Sequence, residues 1–260
     1  MQQRRMIGFF LRHLYPLRRD FDLLSDMLYW PLVDTALWGI TGQWLTDASG
    51  MASLAVSIMV SLILWNVIWR AQAEISRNLI DEIWNNNLVN LFSTPLSVKE
   101  WTVGVLLLSV LKTSVTITVL LPVVFFLYSV NVFAMGWPLL VFMFLVAMTG
   151  WWIGFISAGI VLRYGPKVQT VVWTLPGALL PISAVYFPLD KLPEWLQVIS
   201  RMVPTTHVFE AMRWLLINQE LRWSWLGLAL GLNLVYLSLS IGYFFLSFKK
   251  SRELGLGRFD

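Results

Sequence analysis

The 260-residue sequence contains no cysteine and only two histidines, His13 and His207. Without cysteine, neither a disulfide framework nor a thiolate metal site can form. A zinc helix of the H-E-x-x-H type needs two histidines four residues apart, and these two are distant in the chain. The sequence also lacks a G-x-x-x-x-G-K-[ST] phosphate loop, a G-x-G-x-x-G turn and a G-x-S-x-G elbow. We therefore expect no catalytic, metal-binding or cofactor-binding residues and no enzyme activity in this chain.

Charged residues are also scarce. They make up 13% of the sequence, against about 25% in soluble domains, while 57% of the residues are hydrophobic. Several apolar runs reach the length of about 20 residues with which a helix crosses a bilayer. We predict an all-α polytopic membrane protein with six transmembrane helices, in which residues 1–260 form a single domain. The six predicted spans are residues 26–45, 51–69, 102–128, 137–162, 168–186 and 223–248.

The basic residues predict which side of the membrane each loop faces. Most of the 19 Lys and Arg residues lie in residues 1–25, in the loop after span two, in the turn after span four and in the tail 249–260. The short loops 46–50 and 129–136 contain none. Because cytoplasmic loops are enriched in Lys and Arg, we expect both termini in the cytoplasm and a location in the cell inner membrane. This topology accounts for the net charge of +4, which therefore does not indicate a nucleic-acid partner.

The first 25 residues alternate basic and apolar side chains and contain no long apolar core before a cleavage site, so we expect no cleavable signal peptide. This alternation favours an interfacial amphipathic helix on the anionic lipids of the cytoplasmic leaflet. The alternative is a basic flank that only sets the orientation, and Pro16 weakens the helical pattern.

The polar stretch 70–101 between spans two and three contains another helical pattern. Ile75, Leu79 and Ile83 recur every four residues, which is the spacing of one helix face. Pro95 ends this pattern, since the residue before a proline leaves the helical region. We predict a cytoplasmic amphipathic helix that serves as a rigid handle for a partner protein.

Ionisable residues in and near the spans leave several interpretations open. A carboxylate in lipid costs about 2.5–3.5 kcal/mol on insertion scales, so Asp34 in span one should face the bundle interior or water. Asp34 is either a residue of a transport pathway or a buried acid, paired or protonated, that only fixes packing. Lys112 in span three either snorkels to the interface or pairs with an acid such as Asp34. Three residues form either a small polar cluster or a solvated helix face: His207, Glu210 and Arg213.

Two pairs of glycines predict where helices approach closely. Gly150 and Gly154 lie in span four, and Gly227 and Gly231 lie in span six. Both pairs have the small-xxx-small spacing that brings helix backbones together in membranes.

The fifth span is broken by proline. Residues 168–186 contain Pro176 and Pro181, each of which removes a backbone donor and clashes with the preceding turn. In lipid, the freed carbonyls must find partners in the protein or in a water-filled cavity. The polar elbow 187–196 follows, and Pro204 closes a short amphipathic piece after it. We predict a broken, re-entrant hairpin on the outer side of the membrane after span five.

Two motifs carry a resemblance to a known family. Residues 91–97 read L-F-S-T-P-L-S, with Glu100 and Gly104 shortly after them. Residues 186–196 read Y-F-P-L-D-K-L-P-E-W-L, and residues 203–213 contain V-P-T-T-H and E-A-M-R. Together with the six-span layout, these motifs make the chain resemble the permease subunits of type-2 ATP-binding-cassette (ABC) exporters, in the branch that exports drugs and lipids.

The resemblance assigns roles to particular residues. It implies an ATPase-coupling loop that contains Leu79, Ile83, Leu88, Leu91, Thr94, Pro95, Leu96 and Glu100. It implies an outer gate elbow that contains Phe187, Pro188, Leu192, Pro193, Trp195, Pro204, Glu210 and Arg213. The sequence departs from the family pattern at residues 84–90, which contain no acid, and at Val203, where the family has asparagine.

The resemblance also implies a function. It predicts a permease that exports a hydrophobic or amphipathic substrate, such as a drug or a lipid, and that forms a homodimer or a heterodimer among membrane lipids. A separate ABC ATPase subunit would bind ATP and Mg²⁺, so this chain needs no cofactor of its own. The alternatives are a permease for polysaccharides or glycolipids and a secondary transporter driven by an ion gradient through Asp34. An intramembrane enzyme is a third alternative, which the absence of a paired catalytic set disfavours.

Overall fold

The structure is a computed structural model that describes residues 2–16, 19, 21–50 and 52–256. Within these ranges all regular secondary structure is helical, as predicted. Positions 1, 17, 18 and 20 of the predicted N-terminal segment, position 51 of predicted span two and the last four residues of the predicted tail lie outside the described residues. The helices are α1 (Gln2–Leu14), α2 (Phe21–Ser49), α3 (Ala52–Trp84), α4 (Leu88–Ser93), α5 (Val98–Tyr128), α6 (Pro138–Tyr164), α7 (Thr170–Leu179), α8 (Glu194–Ser200), α9 (Pro204–Asn218) and α10 (Trp223–Glu253).

Four of the described helices are long and apolar enough to cross a membrane. These helices are α3, α5, α6 and α10, and they contain predicted spans two, three, four and six. Predicted span one lies in α2, a 29-residue helix whose apolar surface is interrupted by acidic residues such as Asp26 and Asp34. Predicted span five is divided between the ten-residue helix α7 and the irregular segment after it. The total of six spans therefore stays a prediction, whereas a multi-pass helical membrane protein is established.

Helix α3 forms the centre of the bundle. Helices α2, α5 and α6 pack along it, and α10 packs against α6. In the most apolar stretch of α3, 78% of the residues are buried within the protein, against 22% in the corresponding stretch of α10. Helix α3 is therefore central and α10 peripheral.

The glycines of α6 explain how closely α3 and α6 pack. A Cβ atom added at Gly150 would lie 2.5 Å from the carbonyl oxygen of Ile68, and one at Gly154 would lie 3.0 Å from that of Gln72. The close approach predicted for this pair is therefore present. In contrast, a Cβ atom added at Gly227 or Gly231 meets nothing within 4 Å, so this pair makes no close helix contact within the described chain.

The helix predicted for the loop between spans two and three is not a separate element. Instead, α3 runs unbroken for 33 residues, from predicted span two to Trp84. The sequence 52–84 contains no proline or glycine to interrupt it, and α2, α5 and α6 cover its polar residues. The polar residues 70–83 predicted for a cytoplasmic loop are therefore largely buried in the bundle.

A proline in α2 is accommodated by a neighbouring helix. Pro31 cannot donate to the carbonyl oxygen of Met27 four residues earlier. The hydroxyl of Thr116 on α5 lies 3.4 Å from that oxygen and donates to it. This substitute donor allows α2 to continue through Pro31 as a single helix.

The two ends of the bundle differ. We call one the loop end, because it carries α1, α4 and the C-terminal part of α10. Phe9, Leu91 and Phe248 belong to one hydrophobic cluster there, which places both ends of the described chain on the same side. The opposite end, which carries the residues after α7 together with α8 and α9, is the elbow end.

Candidate functional site

A two-helix tip projects at the loop end. Helix α3 ends at Trp84, the turn 85–87 follows with Asn86 in the left-handed region (φ 49°), and α4 begins at Leu88. Trp84 is 54% exposed, and Val89, Asn90 and the residues after α4 are also exposed. This exposed surface, which we call the tip, is available for contact with another protein.

The residues predicted for the coupling loop divide into two groups. Leu79, Ile83, Leu88 and Leu91 are at most 4% exposed and pack in the hydrophobic cluster of the loop end. Thr94 and Pro95 are exposed, and Leu96 is half-buried. The apolar positions therefore hold the tip in place from inside, and the exposed surface is formed by other residues, among them Trp84, Thr94 and Pro95.

Glu100 has a local structural role. Its carboxylate accepts a hydrogen bond from the backbone N–H of Ser97 at 2.8 Å, and the Ser97 hydroxyl accepts one from the N–H of Glu100 at 3.2 Å. This capping box satisfies two backbone donors and fixes the start of α5 directly after the tip.

The N-terminal helix α1 holds the tip from the side. Arg5 donates to the carbonyl oxygen of Pro95 at 2.7 Å, and Arg12 donates to Glu82 at 2.6 Å. Phe9, between these arginines in the helix, is 4% exposed and packs against Gly104 of α5. The predicted amphipathic helix is present in α1, and part of its apolar face contacts protein. Its position at the membrane surface stays a prediction.

Lys112 pairs with a residue that the sequence interpretation did not select. Its ammonium group donates to the carboxylate of Glu74 on α3 at 2.7 Å, and both side chains are buried. The suggested pairing of Lys112 with Asp34 is therefore wrong. The continuation of α3 beyond Trp69 is the reason, because it brings Glu74 against α5 within the bundle.

A second ion group joins α2 to α3. Asp26 accepts hydrogen bonds from Arg70 at 3.1 Å and from Arg77, and Arg70 also donates to the backbone oxygen of Asp26 at 2.7 Å. Sequence reasoning treated these residues as span boundaries. The sequence feature that could have revealed this group is the spacing of Arg70 and Arg77, which are seven residues apart and therefore share one helix face.

Asp34 faces a cavity of about 430 Å³ between α2, α3 and α7. It is exposed to this space, and no other described residue forms an ion pair or hydrogen bond with its carboxylate. The paired form of the acid does not fit this geometry, whereas a protonated acid that only fixes packing and a residue of a transport pathway both stay predictions.

Helix α7, which contains Pro176, is held to α3 by side-chain hydrogen bonds. Pro176 in α7 cannot donate to the carbonyl oxygen of Val172, and Gln72 of α3 donates its side-chain amide to this oxygen at 2.9 Å. A second contact links the tip to the same region, because the indole nitrogen of Trp84 donates to Gln169, just before α7, at 3.0 Å. Two side chains of α3, at Gln72 and Trp84, therefore contact the α7 region.

Helix α9 holds the irregular residues after α7. Arg213 donates to the carbonyl oxygens of Ala184 and Val185 at 2.7 and 3.1 Å and to Glu210 at 2.6 Å. Glu210 in turn accepts a hydrogen bond from the backbone N–H of Leu189 at 2.9 Å. Of the two interpretations left open for these residues, Glu210 and Arg213 form the polar cluster, whereas the ring of His207 contacts the carbonyl oxygen of Arg201 instead.

The other predicted elbow residues are arranged around this cluster. Leu192 and Pro204 are buried, and Phe187 is half-buried. Pro188, Pro193 and Trp195 are exposed, with Trp195 67% exposed. The elbow thus consists of a buried base held by α9 and an exposed apolar rim.

These features define a polytopic helical membrane protein with a tip at one end, a broken helix beside its central helix and an elbow at the other end. The described residues contain no group of three or more His, Cys, Asp or Glu side chains that suits a metal ion. A comparison with protein families matches residues 24–217 to the ABC-2 type transporter family. Since the match covers most of the chain, the protein belongs to this family and is a transmembrane permease component of an ABC transporter. A comparison with curated proteins finds no significant match.

Proposed function

We propose that the chain is the membrane subunit of an ABC exporter, which moves a hydrophobic or amphipathic substrate out of the cytoplasm with energy from a separate ATPase subunit. Membership of the ABC-2 family supports the ATPase partner. The basic residues 1–25 and 249–260 support a cytoplasmic position for the loop end. Two copies of the chain, or this chain and a related one, would form the complete pathway.

The observation that carries the proposal is that one helix, α3, ends in the tip and also contacts α7. Helix α3 has 33 residues, which corresponds to a length of about 50 Å at 1.5 Å per residue. Its end forms the tip, and Gln72 within it holds the carbonyl group freed by Pro176. A displacement of the tip by an ATPase would therefore move a rigid helix that is attached to the broken span.

The tip offers a surface that suits a protein partner. Trp84 and Val89 provide exposed apolar area, and the polar side chains of Asn85, Asn90 and Thr94 are also exposed in this part of the chain. Aromatic residues at the centre of a polar rim are typical of protein interfaces. Arg5 and Glu82 hold this surface from behind, so it is preorganised for binding.

The experiment is to co-express the chain with its ATPase and to compare two matched variants. Asn90→Arg places a bulky charge on the exposed face of α4, whereas Asn131→Arg places the same charge on an exposed residue at the opposite end. We expect Asn90→Arg to abolish co-purification of the ATPase and substrate-stimulated ATP hydrolysis, and Asn131→Arg to preserve both. Equal effects of the two variants, or normal coupling in Asn90→Arg, would refute the proposed docking surface.

A further inference from the structure

The cavity beside Asp34 is lined by an unusual concentration of indole rings. Four tryptophans face it: Trp30 from α2, Trp65 and Trp69 from α3, and Trp173 from α7. Trp30 is 60% exposed, so its ring is free to contact a ligand. Tryptophan faces attract cations more strongly than other aromatic side chains do, and aromatic cages bind quaternary ammonium groups in this way.

One indole of this cavity already contacts a cation within the protein. The guanidinium carbon of Arg77 lies 5.0 Å from the ring centre of Trp173, within the range of a cation–π contact. A tryptophan that lines this cavity therefore already makes a cation–π contact with an arginine of the same chain.

The charges around the cavity leave Asp34 uncompensated. Asp26 and Arg70, which also line it, form an ion pair in which the guanidinium group lies 3.1 Å from the carboxylate. Arg77 also donates to Asp26, and it lines a neighbouring cavity together with Asp81. Asp34 lies eight residues from Asp26, about 12 Å along a helix. No described cation is bonded to its carboxylate, so the cavity is negative near Asp34.

An ionised carboxylate without an ion pair in a membrane helix needs water or a cation as its partner. An anion in the cavity would meet repulsion from Asp34, and a purely neutral ligand would leave the carboxylate without a counter-ion. Asn66, with its amide donating to the carbonyl oxygen of Leu62, adds a neutral polar group to the wall. The combination of one negative charge and large aromatic faces matches a ligand with one positive charge and apolar groups.

We propose that this cavity binds a hydrophobic organic cation, with the positive charge against the Asp34 carboxylate and the apolar groups between the indole rings. The inference rests on the proposed export function, because it specifies the charge of the cargo. Trp38, one turn beyond Asp34 on α2, stacks on Tyr186 with ring centres 4.1 Å apart. Helix α2 thereby contacts the start of the elbow one turn beyond Asp34, which is the direction that an exported cation would take.

The test measures binding of two probes of nearly the same shape and opposite charge to the full chain in lipid nanodiscs. Tetraphenylphosphonium is the cation and tetraphenylborate the anion, and empty nanodiscs correct for partition into lipid. We expect saturable binding of the cation alone. Saturable binding of both probes with similar affinity, or of the anion alone, would overturn the proposal.

Two matched pairs of variants locate the site. Asp34→Asn keeps the shape of the side chain and removes its charge, and Asp47→Asn makes the same change at an exposed position near the end of α2. We expect cation affinity to fall about tenfold or more in Asp34→Asn, which corresponds to at least about 1.4 kcal/mol, and to stay unchanged in Asp47→Asn. Trp30→Leu should also weaken binding, whereas Trp44→Leu, with a ring 65% exposed on the same helix, should not.

The outcomes separate this inference from the proposed function. If Asp34→Asn retains its melting temperature and binds the cation as tightly as the unchanged protein, the site is wrong. If neutral amphiphiles stimulate the ATPase of the complex and organic cations do not, the export function stands and the cation site is refuted. If cation binding depends on Asp34 but the chain fails to couple to any ATPase, the site stands and the proposed function is refuted.

Discussion

Replacement of Gln72 by leucine tests the link between α3 and the broken helix α7. Gln72 and Val172 are both fully buried, and the Gln72 amide is the donor that replaces the missing N–H of Pro176. In Gln72→Leu, the carbonyl oxygen of Val172 loses this donor. An unsatisfied buried acceptor costs about 1–3 kcal/mol. Side-chain hydrogen bonds in membrane proteins average about 0.6 kcal/mol, with a maximum of about 1.7.

We therefore expect Gln72→Leu to destabilise the protein by about 1–2 kcal/mol, near the upper limit measured in membranes, because the carbonyl group has no helical donor. For a chain of this size, that loss corresponds to a decrease of about 2–8 °C in the melting temperature. The assay is thermal unfolding of the purified protein in detergent, followed by substrate-stimulated ATP hydrolysis of the complex. Stimulation should fall, because movement of α3 is no longer transmitted to α7.

A double-mutant cycle identifies the physical cause. In Pro176→Ala, the new backbone N–H can donate to Val172, which makes the Gln72 amide dispensable. Gln72→Leu should therefore cost about 1 kcal/mol less in the Pro176→Ala background than in the unchanged protein. The matched control is Asn78→Leu, because Asn78 is a buried amide of the same helix whose side chain, unlike that of Gln72, donates to no carbonyl group of the described residues. Equal costs in both backgrounds, or equal costs for Gln72→Leu and Asn78→Leu, would refute the reasoning.

Four further predictions follow from other contacts. Lys112→Met should leave Glu74 buried without its partner and destabilise by about 3–5 kcal/mol, and Glu74→Gln in the same chain should recover part of the loss in melting temperature. Gly150→Ala should destabilise by about 1–3 kcal/mol through its clash with α3, whereas Gly227→Ala should not. Arg213→Met should release the elbow carbonyls, which faster proteolysis there would report, and unchanged cleavage would contradict it. Burial lowers the pKa of His13 below its usual value of about 6.5, so α1 should detach more readily as the pH falls through that value, measured by hydrogen exchange.

The prediction from sequence succeeded where composition and local spacing decide the structure. Long apolar runs require helices in lipid, because only a helix satisfies its own backbone groups there. The spacing of Gly150 and Gly154 predicted a close helix contact, and the structure places this contact between α6 and α3. The motifs around Pro95 and Leu192 indicated the ABC-2 family, to which the chain belongs. Each of these signals lies within a few residues of the chain.

The tertiary structure alone decided which partners polar groups find. Pro176 predicted a freed carbonyl group, but nothing in the local sequence indicates that Gln72, on a different helix, satisfies it. Lys112 required a counter-charge, and its choice of Glu74 depends on the continuation of α3 into the bundle. Burial of Leu88 similarly follows from the packing of α1, α5 and α10 around the tip. Hydrogen bonds and ion pairs between distant residues depend on the relative positions of whole helices, and those positions result from the packing of the entire bundle rather than from any local pattern.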